Sequence, residues 1–220
     1  SVLPTKVSVC RIVAVAFALF GAVLSASDSI AQTCAVQAEI DTGPASDRSI
    51  ALDPLRPLVF VATSTGLVRA VDVSVPTQPT MAGTVVIPFD AWKTACNISH
   101  AFVIGARDGI GLFRHWFGIV DTTNPAAMTV VRTIGLPSIP DAIAASGNLV
   151  YVSQRGLGVQ VWDVSLPTSP SLIGTIPASS PLAIVARPTK MWFTDQPGQF
   201  GATQLVEVDV SSPLSLTVLA

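Results

Sequence analysis

The sequence predicts an all-β chain made by repeating one antiparallel unit, and three observations predict it. A short phrase recurs, as Asp72-Val73-Ser74-Val75-Pro76, Asp121-Thr122-Thr123-Asn124-Pro125, Asp163-Val164-Ser165-Leu166-Pro167 and Asp209-Val210-Ser211-Ser212-Pro213. Its Asp positions stand 49, 42 and 46 residues apart, a period that belongs to propellers and solenoids. Between the phrases lie short runs of aliphatic, β-branched and aromatic residues closed by Gly, Asn or Pro, which read as strands joined by tight turns. Together these give a β-propeller of about four four-stranded antiparallel blades, alone or as a fragment of a larger ring of about six to eight.

The chain opens differently. Lys6 and Arg11 precede an uncharged run from Ile12 to Ser27 whose apolar core ends at Leu24. That run is short for a helical span, which needs roughly 20 apolar residues, and right for a secretory leader. Ser29 and Ala31 are the small residues a signal peptidase reads, so residues 1–31 are expected to be removed before Gln32; an uncleaved anchor is the alternative. The remainder is expected outside the cytoplasm, in the periplasm, at the cell surface or secreted.

Residues 32–47 form an N-terminal segment in which Cys34-Ala35-Val36-Gln37-Ala38-Glu39-Ile40 could serve as a closing strand on a terminal blade. Residues 48–220 then divide into repeats 48–90, 91–140, 141–181 and 182–220. The third is the cleanest. Asp141–Ser146 reads as its first strand, Gly147-Asn148 as a turn, Leu149–Ser153 as the second strand, Val159–Val164 as the third and Ser171–Ile176 as the fourth. The first repeat offers Ile50–Leu52, Leu58–Val61, Leu67–Val71 and Met81–Val85, and the fourth Leu182–Val185, Met191–Thr194, Leu205–Val208 and Leu216–Leu219. In the second, Ala101–Ile104 is followed by a lengthened stretch through Arg107-Asp108-Gly109 and Phe113-Arg114-His115-Trp116-Phe117 before Asp121 is reached. Residues Arg107, Asp108, Arg114, His115 and Trp116 are therefore the candidate binding loop, with a plain strand continuation as the simpler reading.

Asp72, Asp121, Asp163 and Asp209 have a structural explanation. A carboxylate closing a strand accepts hydrogen bonds from N–H groups in the next turn, and the Pro four residues on fixes φ and cannot donate to a ladder. Pro79 and Pro170 head the outermost strands, where proline blunts an edge.

The segments Asn148–Val152, Val159–Pro167 and Ser171–Gly174 resemble the LVIVD repeat of exported bacterial proteins, whose repeats are thought to form propeller blades. The resemblance spans about residues 48–220 and departs from the pattern in the second repeat, where Met128 stands for the later Pro and Arg132 for Gly83 and Gly174. It implies the blade fold and supplies no catalytic set.

Composition narrows the function. Hydrophobic residues make up 50% of the chain and charged ones 12%, with no membrane-length apolar run after the leader. The mature chain carries ten Lys and Arg against thirteen Asp and Glu, with no basic stripe for nucleic acid. Cys34 and Cys96, the cysteines left after the leader, either pair in an oxidising compartment or stay as two buried thiols. Neither has neighbours at metal-ligand spacing, His100 and His115 belong to no catalytic motif, and no cofactor is expected. The expectation is a non-catalytic binding or scaffolding module for a protein, glycan or cell-surface ligand; the alternative is a propeller enzyme, lactonase-like or quinone-dependent, with its site at the central channel. N-terminal sequencing of the exported protein is expected to start at or beside Gln32, and an intact leader would contradict the assignment of residues 1–31.

Overall fold

The structure, a computed structural model, describes residues 6–11, 35–41, 46–109, 112–198, 201–212 and 217–219. Strand β1 (Lys6–Arg11) pairs antiparallel with β2 (Ala35–Asp41) in a separate two-stranded sheet. The segment offered as a closing strand is thus largely β2, and its partner is β1 rather than a blade edge. The rest of the leader, Cys34 and the proposed cut before Gln32 lie outside the described residues.

Four four-stranded antiparallel meanders follow. The first holds β3 (Asp47–Leu52), β4 (Leu58–Thr63), β5 (Leu67–Asp72) and β6 (Thr80–Val86). The second holds β7 (Asp90–Cys96), β8 (His100–Gly109), β9 (Leu112–Asp121) and, after a 3-10 turn at Pro125–Ala127, β10 (Thr129–Leu136). The third holds β11 (Pro140–Ser146), β12 (Leu149–Gln154), β13 (Gly158–Asp163) and β14 (Ser171–Ile176). The fourth holds β15 (Pro181–Ala186), β16 (Lys190–Asp195), β17 (Gln204–Asp209) and β18 (Thr217–Val218). The first strands β3, β7, β11 and β15 pack in succession, which makes each the inner strand of its blade. All four blades shift register near the start of the inner strand, between Asp47 and Ser49, Ala91 and Lys93, Pro140 and Ile143, and Pro181 and Ala183. A bulge raises local twist, and twist is what lets successive sheets fan around an axis.

The cores lie between blades. Phe60, Ala62, Val68 and Ala70 of the first blade meet Ala101, Val103 and Val120 of the second. Phe102, Ile104, Phe117 and Ile119 meet Val150, Val152 and Trp162 of the third, with the Phe117 and Trp162 rings 5.8 Å apart. Tyr151, Val159 and Val161 meet Met191, Phe193 and Val208 of the fourth. Alternate residues of one strand thus face opposite neighbours, the period-two rule applied to a sheet buried on both faces.

The recurring phrase closes one end of every blade. Asp72 Oδ1 accepts from Ser74 N at 2.7 Å, Asp121 Oδ1 from Thr123 N at 2.8 Å and Thr123 Oγ1 at 2.7 Å, Asp163 Oδ1 from Ser165 N at 2.8 Å and Asp209 Oδ1 from Ser211 N at 2.8 Å. These bonds hold the carboxyls of Asp72, Asp121 and Asp209 below the ordinary carboxylate value, led by the backbone bond of Ser74 at Asp72 and by the Thr123 and Ser211 side chains at the other two. The residue after each Asp ties its turn to the one between the first two strands: Val73 N donates to Pro57 O, Thr122 N to Ser99 O and Val164 N to Asn148 O, each at 2.8 Å, and Val210 N to Thr189 O at 2.9 Å. Among the described residues no group of three His, Cys, Asp or Glu is placed to hold a metal, and no helix is long and apolar enough to cross a membrane.

Asp163→Ala is expected to lower unfolding stability by about 1 kcal/mol, the usual cost of a lost side-chain cap, with no change in bound metal. Denaturant titration checks it; unchanged stability with lost binding of a ligand or ion would make the phrase a functional motif instead.

Candidate functional site

The turns between first and second strands all emerge at one end of the inner strands, so the four blades bring them together around the axis. They line a cavity of about 380 Å³ with Pro54 from the first blade, Asn97 and Ser99 from the second, Asn148 from the third and Arg187 from the fourth. Asn97 organises its own turn, its Oδ1 accepting from Ser99 N at 3.0 Å and His100 N at 2.8 Å, while its Nδ2 reaches across to Gly147 O of the third blade at 3.1 Å. Gly147 takes φ 58°, the left-handed region a tight two-strand turn needs.

Beside the mouth, Asp53 builds a second joint. Its Oδ1 accepts from Leu55 N at 3.0 Å and Arg56 N at 2.7 Å, and its Oδ2 from Arg56 Nε at 2.8 Å. Arg56 then donates to Thr122 O of the second blade at 2.7 Å. Burial pushes the Asp53 carboxyl up, but the hydrogen bonds from Arg56 and Leu55 outweigh it and leave the group below its ordinary value.

The reactive side chains near the mouth are chemically quiet. Cys96 Sγ donates to Leu52 O at 3.0 Å, and burial, reinforced by the Asp53 charge, pushes the thiol up to about 12. A thiol in that state is protonated at neutral pH and a poor nucleophile. Burial holds the His100 imidazole below its ordinary value against the opposing pull of Asp121, and its Nδ1 is engaged with Ser99 Oγ at 2.8 Å. Arg187, by contrast, is exposed at the rim and its guanidinium has no hydrogen-bond or ion partner among the described residues.

The stretch from Arg107 to Trp116 lies elsewhere. It extends β8 and β9 into a two-stranded ribbon in which Arg107 pairs with Arg114 and Asp108 with Phe113. The turns between second and third strands stand at the opposite end of a meander from those between first and second, so this ribbon points away from the mouth. Arg107 Nη1 donates to Pro88 O at 3.2 Å, Trp116 packs against the core between the first two blades, and the His115 ring meets Trp92 edge-on with centroids 6.0 Å apart. Burial lowers the His115 imidazole below its ordinary value. The Asp108 side chain and residues 110 and 111 lie outside the described residues. Pairing of Cys96 with Cys34 stays an expectation of the sequence, since Cys34 lies outside them too.

The sequence did not single out Asn97, Asn148 or Arg187 as a group, because they are far apart in the chain and meet only through the blade geometry. The Gly147-Asn148 and Asp53-Pro54 pairs were readable as turns, and alignment of the equivalent turns of the repeats is the signal that could have assembled the site.

Two segments, residues 58–86 and 140–177, match the LVIVD repeat model. No curated protein matches it. Among solved structures it is similar to a functionally unknown protein from Desulfotomaculum acetoxidans DSM 771, at 13% identity and a TM-score of 0.65, over 84% of this chain and 58% of that one. It is similar also to the β-propeller domain of Myceliophteria thermophila Cps50 (Swd1), at 12% identity and a TM-score of 0.60, over 85% of this chain and 61% of that one. The computationally designed Ika4 protein aligns at 12% identity and a TM-score of 0.51, over 74% of this chain and 91% of that one. The chain therefore spans less than two thirds of the length of the first of these natural structures, and at such identities the likeness is one of fold.

Because the Asp53 carboxyl sits lower in the folded state than in the unfolded one, its contribution is present above the ordinary value of 3.8 and is lost as pH falls through the folded value. Asp53→Asn is expected to destabilise the protein at pH 7, with the gap to the parent closing in acid below 3.8; parallel unfolding curves across that range would contradict the joint.

Proposed function

We propose, from the premise that this chain carries LVIVD repeats on β-propeller blades, that it acts outside the cytoplasm as a binding or scaffolding module rather than a catalyst, and that its ligand presents a carboxylate to the mouth. The observation that carries the reading is the position of Arg187: an exposed guanidinium without a described partner at the rim of a cavity to which all four blades contribute. A guanidinium offers a fork of donors suited to a carboxylate, while Asn97 and Asn148 supply neutral hydrogen-bonding groups around it. The quiet thiol of Cys96 and the engaged imidazole of His100 support recognition over bond-breaking chemistry. Export rests on the charged start, short apolar core and small residues at Ser29 and Ala31.

Calorimetric titration with a short oligoglutamate peptide is the test. Saturable binding is expected, weakened about tenfold in Arg187→Ala, the loss of one charge-assisted hydrogen bond of roughly 1.5 kcal/mol, and largely kept in Arg187→Lys. No saturable binding, or binding indifferent to Arg187→Ala, would overturn the reading.

A further inference from the structure

The blades contribute unlike chemistry to the cavity at the mouth. From the second blade, the polar side chains are already engaged: Asn97 holds its own turn and Gly147 O, Ser99 Oγ meets His100 Nδ1, and Cys96 Sγ donates to Leu52 O. From the third and fourth they are not. Ser146, Asn148 and Arg187 line the cavity, and their side chains make no hydrogen bond or ion pair among the described residues.

The apolar part of the lining is available in the same way. Ile98 of the second blade is 52% exposed, and Leu55, next to the lining residue Pro54 of the first, is 78% exposed. Charge is scarce by comparison. No Asp or Glu is among the residues lining the cavity, where Arg187 carries the one formal charge, and the nearby Asp53 carboxylate is taken up by Arg56 and the N–H groups of its own turn. A ligand with one carboxylate is matched at this mouth, whereas further charges would lose water without gaining a partner.

We propose that the ligand is the C-terminal end of a peptide with an aliphatic last residue, its free carboxylate on Arg187, its last peptide group on Asn148 and its side chain against Ile98. The proposal rests on the carboxylate reading above and narrows it. A C-terminal residue carries those three groups on a single carbon, and the mouth offers their partners from three successive blades around one cavity. An Asn amide has both a donor and an acceptor, the complement of a peptide group, and a guanidinium fork suits a terminal carboxylate. The volume of about 380 Å³ lies at the small end of ligand pockets, which fits the end of a chain. A fatty acid shares the carboxylate and the apolar part but leaves Asn148 unused.

Calorimetric titration with acetyl-alanyl-leucine is the test, run beside its C-terminal amide, octanoate and the oligoglutamate peptide. The dipeptide acid is expected to saturate the site, with binding about tenfold weaker for the amide and about fivefold weaker for octanoate, the losses of one charge-assisted and one neutral hydrogen bond. Ile98→Ser, at an exposed position that leaves the core intact, is expected to weaken the dipeptide acid and spare oligoglutamate, while Asn148→Ala removes the preference over octanoate. Oligoglutamate bound through Arg187, with the dipeptide acid no tighter than its amide or indifferent to Ile98→Ser, would overturn the peptide-end assignment and leave the carboxylate reading standing. Octanoate equal to the dipeptide acid in the parent would overturn it as well. If no carboxylate binds, the two readings fall together.

Discussion

A four-stranded sheet of forty-odd residues has two apolar faces and no interior, so nothing in one blade can be buried until a neighbour covers it. That constraint organises the whole molecule. Phe60, Phe102 and Tyr151 occupy equivalent places on second strands, and each is fully buried because the next blade closes over it. At roughly 25 cal/mol per Å² of apolar surface, an aromatic side chain that buries 150–250 Å² dominates such a joint, and the joint is formed only when two blades meet. Stability is therefore approximately a sum over neighbouring pairs of blades.

The polar layer is subordinate to this stacking and local to one end. Each Asp of the recurring phrase satisfies the N–H of its own turn, and the residue after it donates to the turn between the first and second strands of the same blade. Asp53 and Arg56 extend the scheme from the first blade to Thr122 of the second. The mouth turns are thus braced from behind by carboxylates, of which those of Asp53, Asp72, Asp121 and Asp209 are held below their ordinary value by the bonds they accept. Acid weakens that brace before it touches the apolar joints, since protonation removes acceptor strength from the turns and leaves the interblade packing as it is.

Fold and site were unequally legible in the sequence for the same reason. Asp72, Asp121, Asp163 and Asp209 mark strand ends directly, and continuous apolar runs such as Leu149-Val150-Tyr151-Val152 report burial on both faces, so the blades could be read one at a time. Arg187 carries no local mark, because its meaning comes from turns that only the ring arrangement brings near it. The stretch Arg107–Trp116 drew notice through its irregular length, yet length alone does not say whether a chain loops out or continues as a ribbon; the pairing of Arg107 with Arg114 shows the ribbon. Glu207 was legible as a strand residue, while its displacement of an apolar neighbour appears only once Val161 and Ile119 are aligned with it through strand register.

A blade also separates the jobs its residues can take on. Residues inside strands point at neighbouring blades, so a change there is felt as packing; residues in the turns point at the axis or at solvent, so a change there is felt as recognition. Arg187 belongs to the second class and Leu205 to the first, although both sit on the fourth blade. The brace between Val210 N and Thr189 O is where the two classes touch, because it joins the end of the third strand to the turn that carries Arg187. A ligand that orders the Arg187 turn would therefore act on the blade through the turn's own backbone, closed by Arg187 N donating to Lys190 O at 2.7 Å, and through this brace to the third strand. Recognition at the mouth can vary without disturbing the stacked sheets beneath it, as expected of a repeat chain whose turns change while its strands keep their packing.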